Sequence, residues 1–315
     1  MPEILEYDFM RRALLAALLL GAAAPAFGLF LVLRRLSLIA DSLSHVALAG
    51  VAIGLLTNIY PSYIALAATS SAAVSIEELR ARKMLPGDAA LAVFLYGSLA
   101  LAVVIIGLAG GFNSSLFGFL FGSILTVTAS DLLLIAVLAL TVAFFVVMFI
   151  SELAQASFDA DLARINGVRV HALNIGLAIL TGATITLSMR VVGVLLIGAL
   201  IVVPVLIALR VSTGLARSVG IASITGIIMA VGGMVISFYA DVAPGGAVVL
   251  TGISILLLVE VVNAARRGNR ARHMADAHSH VHSHGHMVHD HARAEDTGER
   301  GSGTDSSGTT DRPEP

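Results

Sequence analysis

Asp41 and His45 stand four residues apart in RRLSLIADSLSHVALAGVAIGLL (34–56), a stretch apolar enough to read as a membrane-spanning helix. Positions i and i+4 share one helix face, one turn apart, so a carboxylate oxygen and an imidazole nitrogen here can both reach one divalent cation. The plainer reading makes Asp41 a helix cap and His45 a donor to a neighbouring helix. Depth argues against it. A charge near the bilayer centre costs on the order of 2.5–3.5 kcal/mol, and such residues usually line a pathway or pair with something. On a helix continuous from Arg35, His45 lies ~15 Å along, near the midplane, where capping has no role. One chain supplies two ligands. Two copies around a two-fold axis would supply two oxygens and two nitrogens, a set that suits zinc, with manganese possible if waters are added.

A second group of potential ligands lies at the other end of the sequence. His278, His280, His282, His284 and His286 alternate with other residues, and His273, His289 and His291 flank them. The segment from 266 to 315 has too few apolar residues to bury a core and is expected to be disordered. A flexible run of imidazoles can wrap a metal without a preformed site. It reads as a zinc-binding tail that buffers or senses arriving metal; the alternative is a polar, solubilising tail.

The remaining chemistry is narrowed by what is missing. The sequence has no cysteine, which excludes disulfides, thiolate sites and cysteine nucleophiles. Its single lysine, Lys83, lies between Arg82 and Met84, so there is no P-loop, and any nucleotide-driven step must occur in another chain. The net charge of −2 gives no hint of nucleic-acid binding.

The elements that must hold the Asp41–His45 pair are membrane helices. Hydrophobic residues make up 57% of the 315 and charged residues 13%, with a mean hydropathy of +0.92; soluble domains carry about 25% charged residues. Nine segments are candidates for spans, at 10–33, 37–57, 61–79, 89–109, 131–150, 170–189, 191–210, 217–239 and 246–264. The sixth and seventh are joined by almost no loop, so eight or nine spans are expected in an all-α polytopic domain over 1–265. Gly110 to Asp131 is broken by glycines and polar residues and suits a short re-entrant or interfacial helix. Ala47, Gly50 and Gly54 form a small-residue stripe for close helix packing. Pro204 should kink its span.

The positive-inside rule puts Arg34 and Arg35, the 80–83 cluster, Arg164, Arg169, Arg210, Arg217 and the 266–272 arginines on the cytoplasmic side. Arg11, Arg12 and Arg190 disagree, each at a span edge where a long side chain can snorkel. Glu77 and Glu78 are expected to pair at the surface with Arg80 and Arg82, Asp131 to cap the fifth segment, and His171 to be interfacial. The longest polar break, Ser151 to Val170, falls in the cytoplasm. Within it Asp159 is a plausible N-cap for a short helix over Ala160–Ile165, stopped at Asn166-Gly167.

Read with its flanks, the sequence resembles the permease subunit of zinc/manganese/iron ABC importers. The stretches that carry the resemblance, in order, are FMRRALLAALLLGAAAPAFGLFLVLRRLSLIADSLSHVALAGVAIG, LPGDAALAVFLYGSLALAVVIIG, SSLFGFLFGSILTVTASD, SFDADLARINGVRVHALN, VVGVLLIGALIVVPVLIAL and FYADVAPGGAVVL, covering about residues 9–264. Each motif alone is weak; six in register are specific. The resemblance implies a homodimeric, vitamin-B12-importer-like (type II) permease in a bacterial plasma membrane. It implies a cytoplasmic ABC ATPase, an extracytoplasmic metal-binding protein, and a metal that is cargo rather than a resident cofactor. Asp41 and His45 would line the path. Phe158, Asp159, Ala160, Asp161, Leu162, Ala163, Arg164, Ile165, Asn166 and Gly167 would couple to the ATPase.

Three other functions compete. A secondary metal carrier should show inverted repeats and further intramembrane acids. A vitamin B12 or iron-chelate permease of the same fold should lack a converging Asp/His pair. A membrane enzyme should gather several polar groups at one depth.

Overall fold

The computed structural model describes residues 6–82, 84, 87–109, 114–194 and 196–265. The expected tail over 266–315, with all eight of its histidines, lies outside the described residues. Met1–Val259 form one compact unit; of the second, Glu260–Pro315, only the end of a helix is described.

Among the described residues the structure is helical throughout: α1 (Asp8–Leu33), α2 (Leu38–Thr57), α3 (Pro61–Ala81), α4 (Gly87–Leu108), α5 (Ser114–Phe121), α6 (Ala129–Met148), α7 (Ile150–Phe158), α8 (Ala160–Ile165), α9 (Val170–Ser188), α10 (Ile197–Val211), α11 (Leu215–Ala240) and α12 (Pro244–Ala265). Seven of these, α1, α2, α4, α6, α9, α11 and α12, are long and apolar enough to cross a membrane. The other two expected segments are also helices. α3 carries Glu77, Glu78 and Arg80 near its end, and α10 has 15 residues.

α1 is the central helix, buried along most of its length, and small residues let its neighbours close on it. A Cβ on Gly21 would meet the Gly226 carbonyl oxygen of α11 at 2.6 Å, and one on Gly226 would meet the Gly21 carbonyl oxygen at 2.2 Å. Pro25, inside α1, has no N–H for the carbonyl four residues back, which is that of Gly21. α2 packs on α3 through the small-residue stripe: Gly50 abuts the Ala65 backbone and Gly54 abuts Pro61. Ser42 Oγ donates to the Leu91 carbonyl of α4 at 2.9 Å, and the Thr69 and Thr186 hydroxyls meet at 3.0 Å between α3 and α9.

Two segments differ from expectation. The seventh begins at Ile197, not 191. Gly193 takes φ +92, and the preceding stretch is held by main-chain bonds to the end of α5: Ser123 N–H to the Arg190 carbonyl at 3.0 Å and Val194 N–H to the Phe119 carbonyl at 2.9 Å. Val191, Val192 and Val194 are buried, so this irregular backbone is covered by protein as the lipid environment requires. The polar break also contains α7, a second helix that precedes the short one expected at Ala160–Ile165.

Candidate functional site

Asp41 lies in the first turn of α2, following a sharp junction. Arg35 adopts left-handed φ +58, so the helix starts at Leu38. His45 is therefore ~10 Å along a helix of ~30 Å, shallower than a helix continuous from Arg35 would put it. Asp41 is exposed on the isolated chain and His45 is half-buried. Asp41 does not cap α2, whose N-cap is Ser37 without a side-chain bond. Its Oδ1 lies against Gly198, the second residue of α10, 2.6 Å from where a Cβ there would stand. Nothing in the residue pattern marks this neighbour beyond a glycine within an apolar run.

His45 Nδ1 is buried and has no hydrogen-bond partner among the described residues. A buried polar atom without a partner costs about 1–3 kcal/mol, and a bound ligand would recover it. Among the described residues no three His, Asp or Glu converge on one point. One chain thus offers an oxygen and a nitrogen and leaves the remaining coordination to waters or a second chain.

The expected coupling segment is built as its sequence suggests. Asp159 is extended (φ −149, ψ 105), and its Oδ1 accepts from the Asp161 and Leu162 amides, each at 2.9 Å. That bond starts α8. Gly167 takes φ +83 beyond its end; Asn166 does not adopt the left-handed form. Arg164 pairs with Asp161 at 2.8 Å. Ala163 is buried against Ala156 and Val170, which anchors one face of α8. Leu162 and Ile165 of α8, and Phe158 at the end of α7, are 55%, 82% and 79% exposed. Ala160 is half-buried and packs with that anchored face.

Two polar clusters were missed or misread. Glu77 is not a surface residue: its side chain is 5% exposed, and it accepts from Arg80 at 3.1 Å and from Asn174 Nδ2 at 2.7 Å. Asn174 also accepts from Arg34, so α3, α9 and the α1–α2 junction meet in one network. Burial lowers the Arg34 pKa to about 10, with Glu77 opposing the shift and Arg80 adding to it. Glu78 pairs with Arg82 at 2.6 Å and lies 3.4 Å from His171. The second cluster surrounds Arg190. Its guanidinium bonds Asp131 at 2.9 Å and lies over the Tyr60 and Phe119 rings at 5.1 and 5.7 Å. Asp131 also completes a capping box with Thr128 at the start of α6. Arg190 therefore has a local partner for its charge, which accounts for its exception to the positive-inside pattern.

Among the described residues seven apolar helices are long enough to cross a membrane, which marks a multi-pass membrane protein. The chain matches the ABC 3 transport family over residues 6–263 and belongs to it. It is 29% identical over 252 residues to the high-affinity zinc uptake system membrane protein ZnuB of Haemophilus influenzae, covering 80% of this chain and 97% of that one. It is 29% identical over 265 residues to the manganese import system permease protein ScaB of Streptococcus parasanguinis, covering 84% and 94%. Among solved structures, PsaBC from Streptococcus pneumoniae in complex with Fab superposes with a TM-score of 0.72 at 29% identity, covering 81% of this chain and 92% of that one.

Proposed function

We propose that this chain is the membrane permease of an ABC importer for a divalent first-row metal ion, zinc foremost, with Asp41 and His45 contacting the ion in transit. The observation that carries the reading is the state of the pair: a carboxylate exposed on a membrane helix and an imidazole whose buried Nδ1 has no partner among the described residues. Lipid would make an exposed Asp41 costly. A second copy facing it across a two-fold axis removes that cost and supplies the missing ligands. The relatives named for zinc and for manganese support the substrate class, and the nitrogen ligand favours zinc over manganese within it.

Energy comes from a separate ATPase. The exposed Phe158, Leu162 and Ile165 side chains on and beside α8 suit an apolar groove on such a partner, and an extracytoplasmic binding protein would deliver the ion. The histidines between His273 and His291 would hold metal after passage without taking part in it.

The test is uptake of radiolabelled zinc and manganese by cells expressing the permease with its ATPase. Asp41→Ala and His45→Ala should each abolish uptake while the amount of assembled protein stays the same. Uptake unchanged in both variants refutes the assignment of the pair. Uptake of manganese with exclusion of zinc would keep the permease and reverse the cargo.

A further inference from the structure

The junction between α1 and α2 is four residues long and has no slack. The amides of Arg34, Arg35 and Leu36 donate to the carbonyls of Phe30, Val32 and Leu31 in α1, and the Ile39 amide donates back to Leu36. Arg35 is locked in its left-handed turn. A displacement applied at Arg34 therefore arrives at the start of α2, whose first turn holds Asp41.

Arg34 is itself held from two other elements. Nε donates to Ser157 Oγ at 3.1 Å and one terminal nitrogen to the Leu153 carbonyl at 3.4 Å, both on α7. The other terminal nitrogen donates to Asn174 Oδ1 on α9, and Asn174 passes the connection to Glu77. α7 leads into α8 through Asp159 alone. One planar side chain thus joins the segment with the exposed apolar face to the helix with the Asp41–His45 pair. Geometry of this kind is matched by arginine's fixed fork of donors and not by lysine. With a pKa of about 10 the guanidinium remains charged at neutral pH, so the grip does not depend on proton uptake.

We propose that Arg34 is a positioning residue for transport, carrying displacement of α7 and α8 to the start of α2 and so setting how Asp41 and His45 are presented. The inference rests on the permease reading above. A network of packed groups is a physical warrant for coupling only if breaking it uncouples the two ends.

The experiment uses the full permease–ATPase complex in proteoliposomes with zinc chloride as the probe, measuring zinc uptake and ATP hydrolysis together with thermal unfolding of the complex. Arg34→Ala should lower the ratio of uptake to hydrolysis about tenfold, and hydrolysis itself should stay within about twofold of the parent, a coupling energy in the usual range. Ser157→Ala removes one grip on α7 and leaves Arg34 with its other partners. It should lower the ratio about threefold with unchanged unfolding temperature, an effect of one lost hydrogen bond. Arg34→Lys should not restore the parent ratio. An unchanged ratio in both alanine variants overturns the proposal, as does a loss that follows the unfolding temperature. If the parent complex itself moves neither zinc nor manganese, it is the permease reading that fails.

Discussion

Asp41 Oδ1 rests on the Cα face of Gly198, 2.6 Å from the position of a Cβ at that residue. The next atoms a Cβ would meet are Asp41 Cγ at 3.7 Å and Ala40 Cβ at 3.9 Å, so no backbone stands in its way. Gly198→Ala should fold and should displace the carboxylate. Zinc uptake is expected to rise in KM by about tenfold, the cost of one weakened charged contact. Transport kinetics in vesicles, with the amount of assembled protein as control, check this.

Gly226→Ala should instead act on stability. Its Cβ would fall 2.2 Å from the Gly21 carbonyl oxygen and 2.6 Å from Pro25 Cγ. Alanine gains about 1 kcal/mol of helix propensity over glycine, but overpacking against backbone costs about 1–3 kcal/mol. The clash should win, and thermal unfolding of the purified protein should shift downward.

Asp159→Ala removes the oxygen that starts α8. Loss of an N-cap costs ~1 kcal/mol. If α8 must be helical to dock, affinity for the ATPase should fall about fivefold, the equivalent of that energy. Asp159→Asn keeps the acceptor and should bind nearly as the parent. Titration of the purified ATPase against permease in nanodiscs measures both.

Arg190→Lys preserves charge yet should destabilise the protein. Lysine can reach Asp131 but cannot cover two aromatic faces with a flat cation. A loss of about 1–2 kcal/mol is expected from weakened cation–π contacts and a poorer partly buried ion pair, read from thermal unfolding at moderate salt.

Deleting residues 273–291 should leave zinc uptake within about twofold, since the role proposed for these histidines is to hold metal after passage and not during it. Zinc bound per purified chain should drop. Loss of uptake on deletion would move the histidine tail into the pathway.

Helix positions were largely legible in the sequence because each is written as a long apolar run bounded by charge or glycine. The Asp159 cap and its six-residue helix were legible from a different local signal, a side-chain acceptor before the first turn and a glycine beyond the last. The break before Ile197 was not: its backbone is shaped by main-chain bonds to Phe119 and Ser123, some seventy residues earlier, and only Gly193 hinted at it. Glu77 looked like a surface acid because Arg80 is its helical neighbour. Its burial comes from Asn174 on another helix, a polar residue without a distinctive spacing. The Asp41–His45 pair was visible as chemistry, but its contact with Gly198 depends on how two helices cross.

The run from Arg190 to Val194 and the end of α5 grip each other through backbone atoms, with Gly122 and Gly193 facing each other too closely for any side chain. Such a clasp is a rivet and not a spring. These two strips of chain have to travel together, and a pair of probes placed one on each should keep a constant separation through the whole working cycle.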